Sequence, residues 1–107
     1  MNKQEEKSMN IKIQTVHFDA DKRLLDFTQK KVEKLMKFYD GIVSAEIIFR
    51  LDKNQNEENK IAEIKLEIPG NDLFAKRQCK SFENAVDQVS DALKKQITKH
   101  KEKQRGV

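Results

Sequence analysis

The sequence predicts an α+β fold in the order β-α-β-β-β-α, with a four-stranded sheet carrying two helices on one face. Three features predict it. Two segments repeat apolar residues at helical spacing, and the other apolar segments alternate every second residue. Breaks rich in Gly, Asn and Asp separate the alternating segments. Both helices then have an apolar stripe to cover, and laying them side by side on one face of the sheet covers both.

The elements follow in order. Residues 1–8 (MNKQEEKS) have no apolar side chain after Met1 and are expected to form a disordered or peripheral extension to a single domain spanning 9–105. Asn10-Ile11-Lys12-Ile13-Gln14-Thr15 alternates apolar and polar, which predicts the first strand. The phase slips at Val16 and Phe18, so the strand should end or bulge near Thr15. Asp21 is a suitable N-cap for the first helix, whose buried stripe is read as Leu25, Thr28, Val32, Leu35, Met36 and Tyr39. Asp40-Gly41 stops it, with Gly41 suited to a left-handed C-terminal position.

Three strands should come next. Ala45, Ile47, Phe49 and Leu51 mark one, and Ile64, Leu66 and Ile68 mark another with a solvated opposite face. The polar stretch 52–60 (DKNQNEENK) reads as a mobile hairpin loop, and Pro69-Gly70-Asn71-Asp72 as the second turn. The last strand runs from Leu73 to Lys80. Ser81 then caps a helix with Phe82, Val86, Val89, Leu93, Ile97 and His100 on its core face.

Composition limits the function classes. A chain of 107 residues with 36% hydrophobic and 37% charged residues can build one small core beneath a charged exterior. No apolar run approaches a membrane span or signal-peptide core, so a soluble, cytoplasmic protein is expected. Cys79 is the only cysteine, so no intramolecular disulfide forms, and it is expected to pack as a small apolar residue. Catalysis has little support. There is no Gly-rich phosphate loop, His17 and His100 are far apart, and no His, Cys or Asp spacing suits zinc. No enzyme activity, metal or cofactor is expected.

The net charge of +4 is modest, but its distribution is not. The last helix begins with Glu83, Asp87 and Asp91 and ends with Lys94, Lys95, Lys99, Lys101, Lys103 and Arg105 against the single acid Glu102. The helix macrodipole favours this sign pattern at ~0.3–1 kcal/mol per charge. It does not require so many bases, nor their continuation past the last apolar turn. Lys95, Lys99 and Lys103 form one row, and Lys94, Lys101 and Arg105 another. On the first helix Arg23, Lys30, Lys34 and Lys37 share an arc opposite the apolar stripe, while Lys76, Arg77 and Lys80 add charge on the strand leading into the last helix. Helices lying side by side would join these rows into one field for a polyanion. Phe27 in the basic arc and Phe74 beside Lys76 are candidates to stack on a base, although packing against the protein is the commoner use of Phe.

Several runs resemble one family. Met9-Asn10-Ile11-Lys12-Ile13 is similar to the first strand of the short ribosome hibernation promoting factors and ribosome-associated inhibitor A, also called the sigma-54 modulation proteins. Lys34-Leu35-Met36-Lys37-Phe38-Tyr39-Asp40 resembles the family's K-L-x-K-[FY]-[FY]-D signature, and Phe82-Glu83-Asn84-Ala85-Val86-Asp87 its M-Y-x-A-I-D run. Leu93 to Lys103 resembles its L-x-R-Q-[IL]-x-K-H-K-x-K end. The resemblance covers about residues 9–105. It implies a fold akin to double-stranded-RNA-binding domains. It also implies binding to ribosomal RNA of the small ribosomal subunit, in the channel for messenger RNA and A- and P-site transfer RNA, during stationary phase or stress.

Carried over by position, Lys34, Lys37, Lys95, Lys99, Lys101 and Lys103 match family lysines or arginines. Ala92 stands where relatives have Lys, and Lys76, Arg77 and Lys80 occupy positions often acidic or small there. The extra C-terminal domain of the long form and the acidic tail of the inhibitor branch are not in the sequence. Residues 1–8 precede the family's usual start, which makes Met9 a candidate natural initiator. The expected protein is a non-catalytic translation inhibitor, monomeric when free, with no DNA or membrane partner. Its rivals are a general double-stranded-RNA-binding module and a regulatory protein-interaction adaptor.

Overall fold

The computed structural model describes residues 10–54 and 57–104. Its elements are β1 (Ile11–Val16), α1 (Lys22–Phe38), β2 (Ser44–Leu51), β3 (Lys60–Ile68), β4 (Asn71–Cys79) and α2 (Phe82–Gln104). The order is the expected one. Residues 1–9 and Arg105 lie outside the described residues, so the readings of the N-terminal extension and of Arg105 do as well.

The sheet order is β1-β2-β3-β4. β1 pairs parallel with β2, and the β2–β3 and β3–β4 pairs are antiparallel. β4 therefore points the same way as β1. Each helix follows a strand of that direction and returns across the sheet, so α1 and α2 run parallel and their C-terminal ends share one edge of the domain.

β1 ends at Val16 because His17 takes a left-handed conformation, φ 67°, which His tolerates better than most residues. The change of direction accounts for the phase slip and turns Phe18 back over the sheet. There Phe18 stacks on Phe82 (centroids 4.8 Å apart), and Phe82 meets Phe49 edge-on at 5.1 Å. Asp21 caps α1 as expected, its Oδ1 accepting from the Leu24 N–H at 2.9 Å. Ser81 caps α2, its Oγ accepting from the Asn84 N–H at 3.0 Å.

The α1 stripe is rotated from the expected one. Leu24, Thr28, Val32 and Leu35 are buried, Met36 and Tyr39 are partly buried, and Leu25 is exposed. The two leucines are about 100° apart around the helix, and the register is centred on Thr28. The Thr28 hydroxyl is satisfied within the helix by donating to the Leu24 carbonyl at 2.8 Å, so this polar residue can occupy the core without an orphaned group.

Gly41 does not adopt the left-handed conformation expected of it; among the described residues only His17 and Gly70 have positive φ. α1 ends instead at an extended Tyr39, φ −144°. Gly41 is needed for a different reason: a Cβ there would lie 2.5 Å from the Tyr39 ring. The second turn is tighter than expected, with Pro69 and Gly70 joining Ile68 to Asn71 and Gly70 at φ 82°. The remaining sheet register follows the alternation. Ala45, Ile47, Phe49, Ala62, Ile64, Leu66 and Ile68 face Ala85, Val86, Val89, Leu93 and Ile97 of α2 across one continuous core.

Cys79 is buried at the end of β4. Burial, and secondarily the Glu58 carboxylate, push its thiol above the usual range. It is therefore a protonated packing residue at neutral pH.

Candidate nucleic-acid interface

The two surfaces of the domain differ in charge. On the open face of the sheet, Lys12, Arg50, Lys65 and Lys76 are matched in number by Glu46, Glu63, Glu67 and Asp72. The opposite charges lie next to one another: Arg50 is 3.1 Å from Glu63, and Lys65 is 3.8 Å from Glu46. The helical face is cationic. α1 carries Lys22, Arg23, Lys30, Lys31, Lys34 and Lys37 against Asp26 and Glu33. The C-terminal half of α2 sets five lysines against Glu102.

Parallel helices concentrate this charge further, because both cationic ends fall at the same edge. Two adjoining grooves lie there. One, of about 650 Å³, is lined by Phe38, Asp91, Lys94, Lys95, Thr98, Lys99 and Glu102. The other, of about 410 Å³, is lined by Lys31, Lys34, Leu35, Lys37, Phe38, Ser90, Asp91 and Lys94. Lysines of α1 and α2 thus meet across a shared wall of Phe38, Asp91 and Lys94.

These lysines differ in how they are held. Lys31 is paired with Asp87 of α2 at 2.7 Å, which pins the two helices midway. Lys101 lies 3.5 Å from the carbonyl oxygen of Phe38, where its ammonium neutralises the negative end of α1. Among the described residues Lys34, Lys37, Lys94, Lys95, Lys99 and Lys103 have no carboxylate at ion-pair distance. Grouping unpaired like charges opposes folding slightly and prepares a surface for an anion.

The other sequence candidates lie elsewhere. Lys30 is exposed on the outer side of α1, and Arg23 is in its first turn, at the far end from the grooves. Lys76 stands opposite Glu63 on the open sheet face. Arg77 is exposed at the β4 edge, its Nη1 donating to the Lys76 carbonyl at 2.8 Å. Lys80 precedes the N-terminus of α2, more than twenty ångströms along the helix from Lys95 at ~1.5 Å per residue. The β4 bases therefore do not join the field at the helix C-termini. Ala92 is half-buried against the core.

Sequence reasoning missed Phe38. Its helical azimuth falls between the basic arc and the buried stripe of α1, a boundary position that periodicity leaves undecided. Phe27 is partly buried against the core, with the Lys31 ammonium 5.7 Å from its ring. Phe74 is 50% exposed on the open sheet face, against the expectation that it packs.

No helix among the described residues is long and apolar enough to cross a membrane, and no group of His, Cys, Asp or Glu there is placed to hold a metal ion. Comparison with known proteins places the chain. It is similar to the ribosome hibernation promoting factor of Pseudomonas putida, 28% identical over 99 residues that cover 92% of this chain and 93% of the relative. The factor of the same name from Azotobacter vinelandii is 28% identical over 96 residues, covering 90% and 86%. Among solved structures, a ribosomal subunit interface protein from Coxiella burnetii superposes with a TM-score of 0.76 at 25% identity, covering 85% of this chain and 96% of that one. The family model described as sigma 54 modulation protein / S30EA ribosomal protein matches residues 11–105, from the first strand through both lysine-bearing helices, and the chain belongs to that family.

Proposed function

We propose that this chain is a ribosome hibernation factor. It binds the small ribosomal subunit through the cationic helical face, in the channel that messenger RNA and the A- and P-site transfer RNAs use, and silences translation in the cytoplasm during stationary phase or stress. The observation that carries this reading is the convergence of unpaired lysines from both helices on one edge, in a chain whose relatives are named for ribosome hibernation. The action is steric: a bound domain excludes the RNAs that share the channel, with no catalytic step. Lys34, Lys37, Lys94, Lys95, Lys99 and Lys103 are the proposed phosphate contacts, with Arg105 beyond them in sequence.

Phosphate neutralisation makes such binding dependent on salt, with log affinity falling by roughly 0.7–0.9 per contact for each decade of salt. Sucrose-gradient sedimentation of the purified protein with separated subunits, across a salt series, tests this. The expected result is co-migration with the small subunit that is lost steeply as salt rises and persists in excess duplex RNA. Equal competition by duplex RNA would favour a general duplex-binding module. Salt-insensitive or large-subunit binding would contradict the proposal.

A further inference from the structure

We propose that Phe38 is a stacking platform for one unpaired nucleobase, so that the groove between the helix ends holds a single-stranded nucleotide as well as a phosphate track. The inference rests on reading the helical face as an RNA surface, and it names what that surface selects. Phe38 is 38% exposed, and what sets it apart from the more exposed Phe74 is that two lysine ammoniums already lie over its ring. It borders both larger grooves and a smaller one of about 190 Å³ beside Lys101.

The cations around the ring have separate roles. Lys101 lies 4.7 Å from the ring centroid and is tethered by the Phe38 carbonyl. Lys94 is farther, 5.6 Å from the centroid, and its ammonium has no other partner among the described residues. A base sliding onto the ring displaces the Lys94 ammonium, which then takes the phosphate of the same nucleotide. Asp91, Thr98 and Glu102 line the same groove. The Asp91 and Glu102 carboxylates would repel a bare phosphate, but they can accept hydrogen bonds from the N–H groups on a base edge, as can the Thr98 oxygen, whose own hydrogen goes to the Lys94 carbonyl. A lysine rim, an aromatic face and hydrogen-bond acceptors together match a nucleotide. A duplex keeps its base faces stacked and offers none to the ring.

The chain contains no tryptophan, so Phe38→Trp places a single tryptophan in the groove, excited selectively at wavelengths where Tyr39 does not absorb. Titration with a short single-stranded RNA should quench its emission, whereas inorganic polyphosphate, which has charge and no bases, should bind without quenching. Phe38→Leu keeps apolar bulk and removes the π face. Its affinity for the single strand should fall roughly 5- to 150-fold, the range for losing one stacked base, with the salt slope unchanged because no charge is lost. Far-UV circular dichroism checks that both variants fold. Wild-type affinity in the Leu variant, equal quenching by polyphosphate, failure of the wild type to bind single-stranded RNA, or tighter binding of polyglutamate than of RNA would each overturn the inference. If Lys95 and Lys99 prove necessary for ribosome binding while Phe38→Leu does not matter, the stacking inference alone fails.

Discussion

Lys95→Glu combined with Lys99→Glu should remove the protein from the small-subunit fraction of a gradient while leaving its fold unchanged. Both side chains line the larger groove, are exposed, and make no ion pair among the described residues, so the folded domain does not depend on them. Counterion release gives the size of the effect. At about 0.15 M salt two lost phosphate contacts cost roughly 15- to 30-fold in affinity, and reversal adds repulsion, for a total on the order of 100-fold or more. The salt slope should also fall by about two. Lys12→Glu with Lys76→Glu makes the same change in net charge on the opposite, charge-balanced face. That pair should bind nearly as the wild type does. Equal loss from both pairs would mean that net charge, and not the helical face, governs binding. Co-sedimentation of both assigns the contact to other residues.

Phe49→Ala should have the largest effect on stability. Phe49 is fully buried in β2, is the largest of the fully buried side chains among the described residues, and holds Phe82 edge-on at the start of α2. Truncating a buried Phe costs ~3–5 kcal/mol, from lost transfer free energy and from the cavity left behind. Small domains have only ~5–15 kcal/mol in total. Urea unfolding should show a much lower midpoint with an unchanged slope, and the melting temperature should fall by roughly 15–30 °C. Leu25→Ala, one of the exposed hydrophobics on α1, should change stability by no more than about 0.5 kcal/mol. Similar losses at both positions would contradict the core as described.

Much of this fold could be read from the sequence because its strongest signals are local. The alternation of Ala45, Ile47 and Phe49 and of Ile64, Leu66 and Ile68 corresponds to the buried face of the sheet, and Asp21 and Ser81 cap the helices they precede. The misreadings arose where tertiary packing selects among nearly equivalent local choices. Leu24 and Leu25 both satisfy helical periodicity, and only contact with the sheet decides between them. Gly41 resembles a left-handed helix stop, yet what constrains it is the ring of Tyr39, a contact with no periodic signature. Asp87 reads as a dipole partner in sequence and is also the ion-pair partner of Lys31 across the helix interface.

The candidate site was legible as a list of bases and not as a shape. The rows on α2 and the Lys34 and Lys37 pair are visible from helical spacing. Their meeting depends on the two helices running parallel, which is a property of strand order. The same topology separates Lys76 and Lys80 from them, although both lie close in sequence to the start of α2. Phe38 holds a boundary position on one helix, and such a position gains its meaning only from the lysines of the other.

The central claim is that the α1–α2 face, and not the sheet, meets the ribosome. A cryo-EM reconstruction of the protein bound to the small subunit tests it most directly. The result expected is density in the channel for messenger and transfer RNA, with the ends of Lys34, Lys37, Lys95 and Lys99 at hydrogen-bond distance from phosphate oxygens and the open face of the sheet turned away from ribosomal RNA. Density with the sheet against the RNA, or on a surface outside that channel, would contradict it.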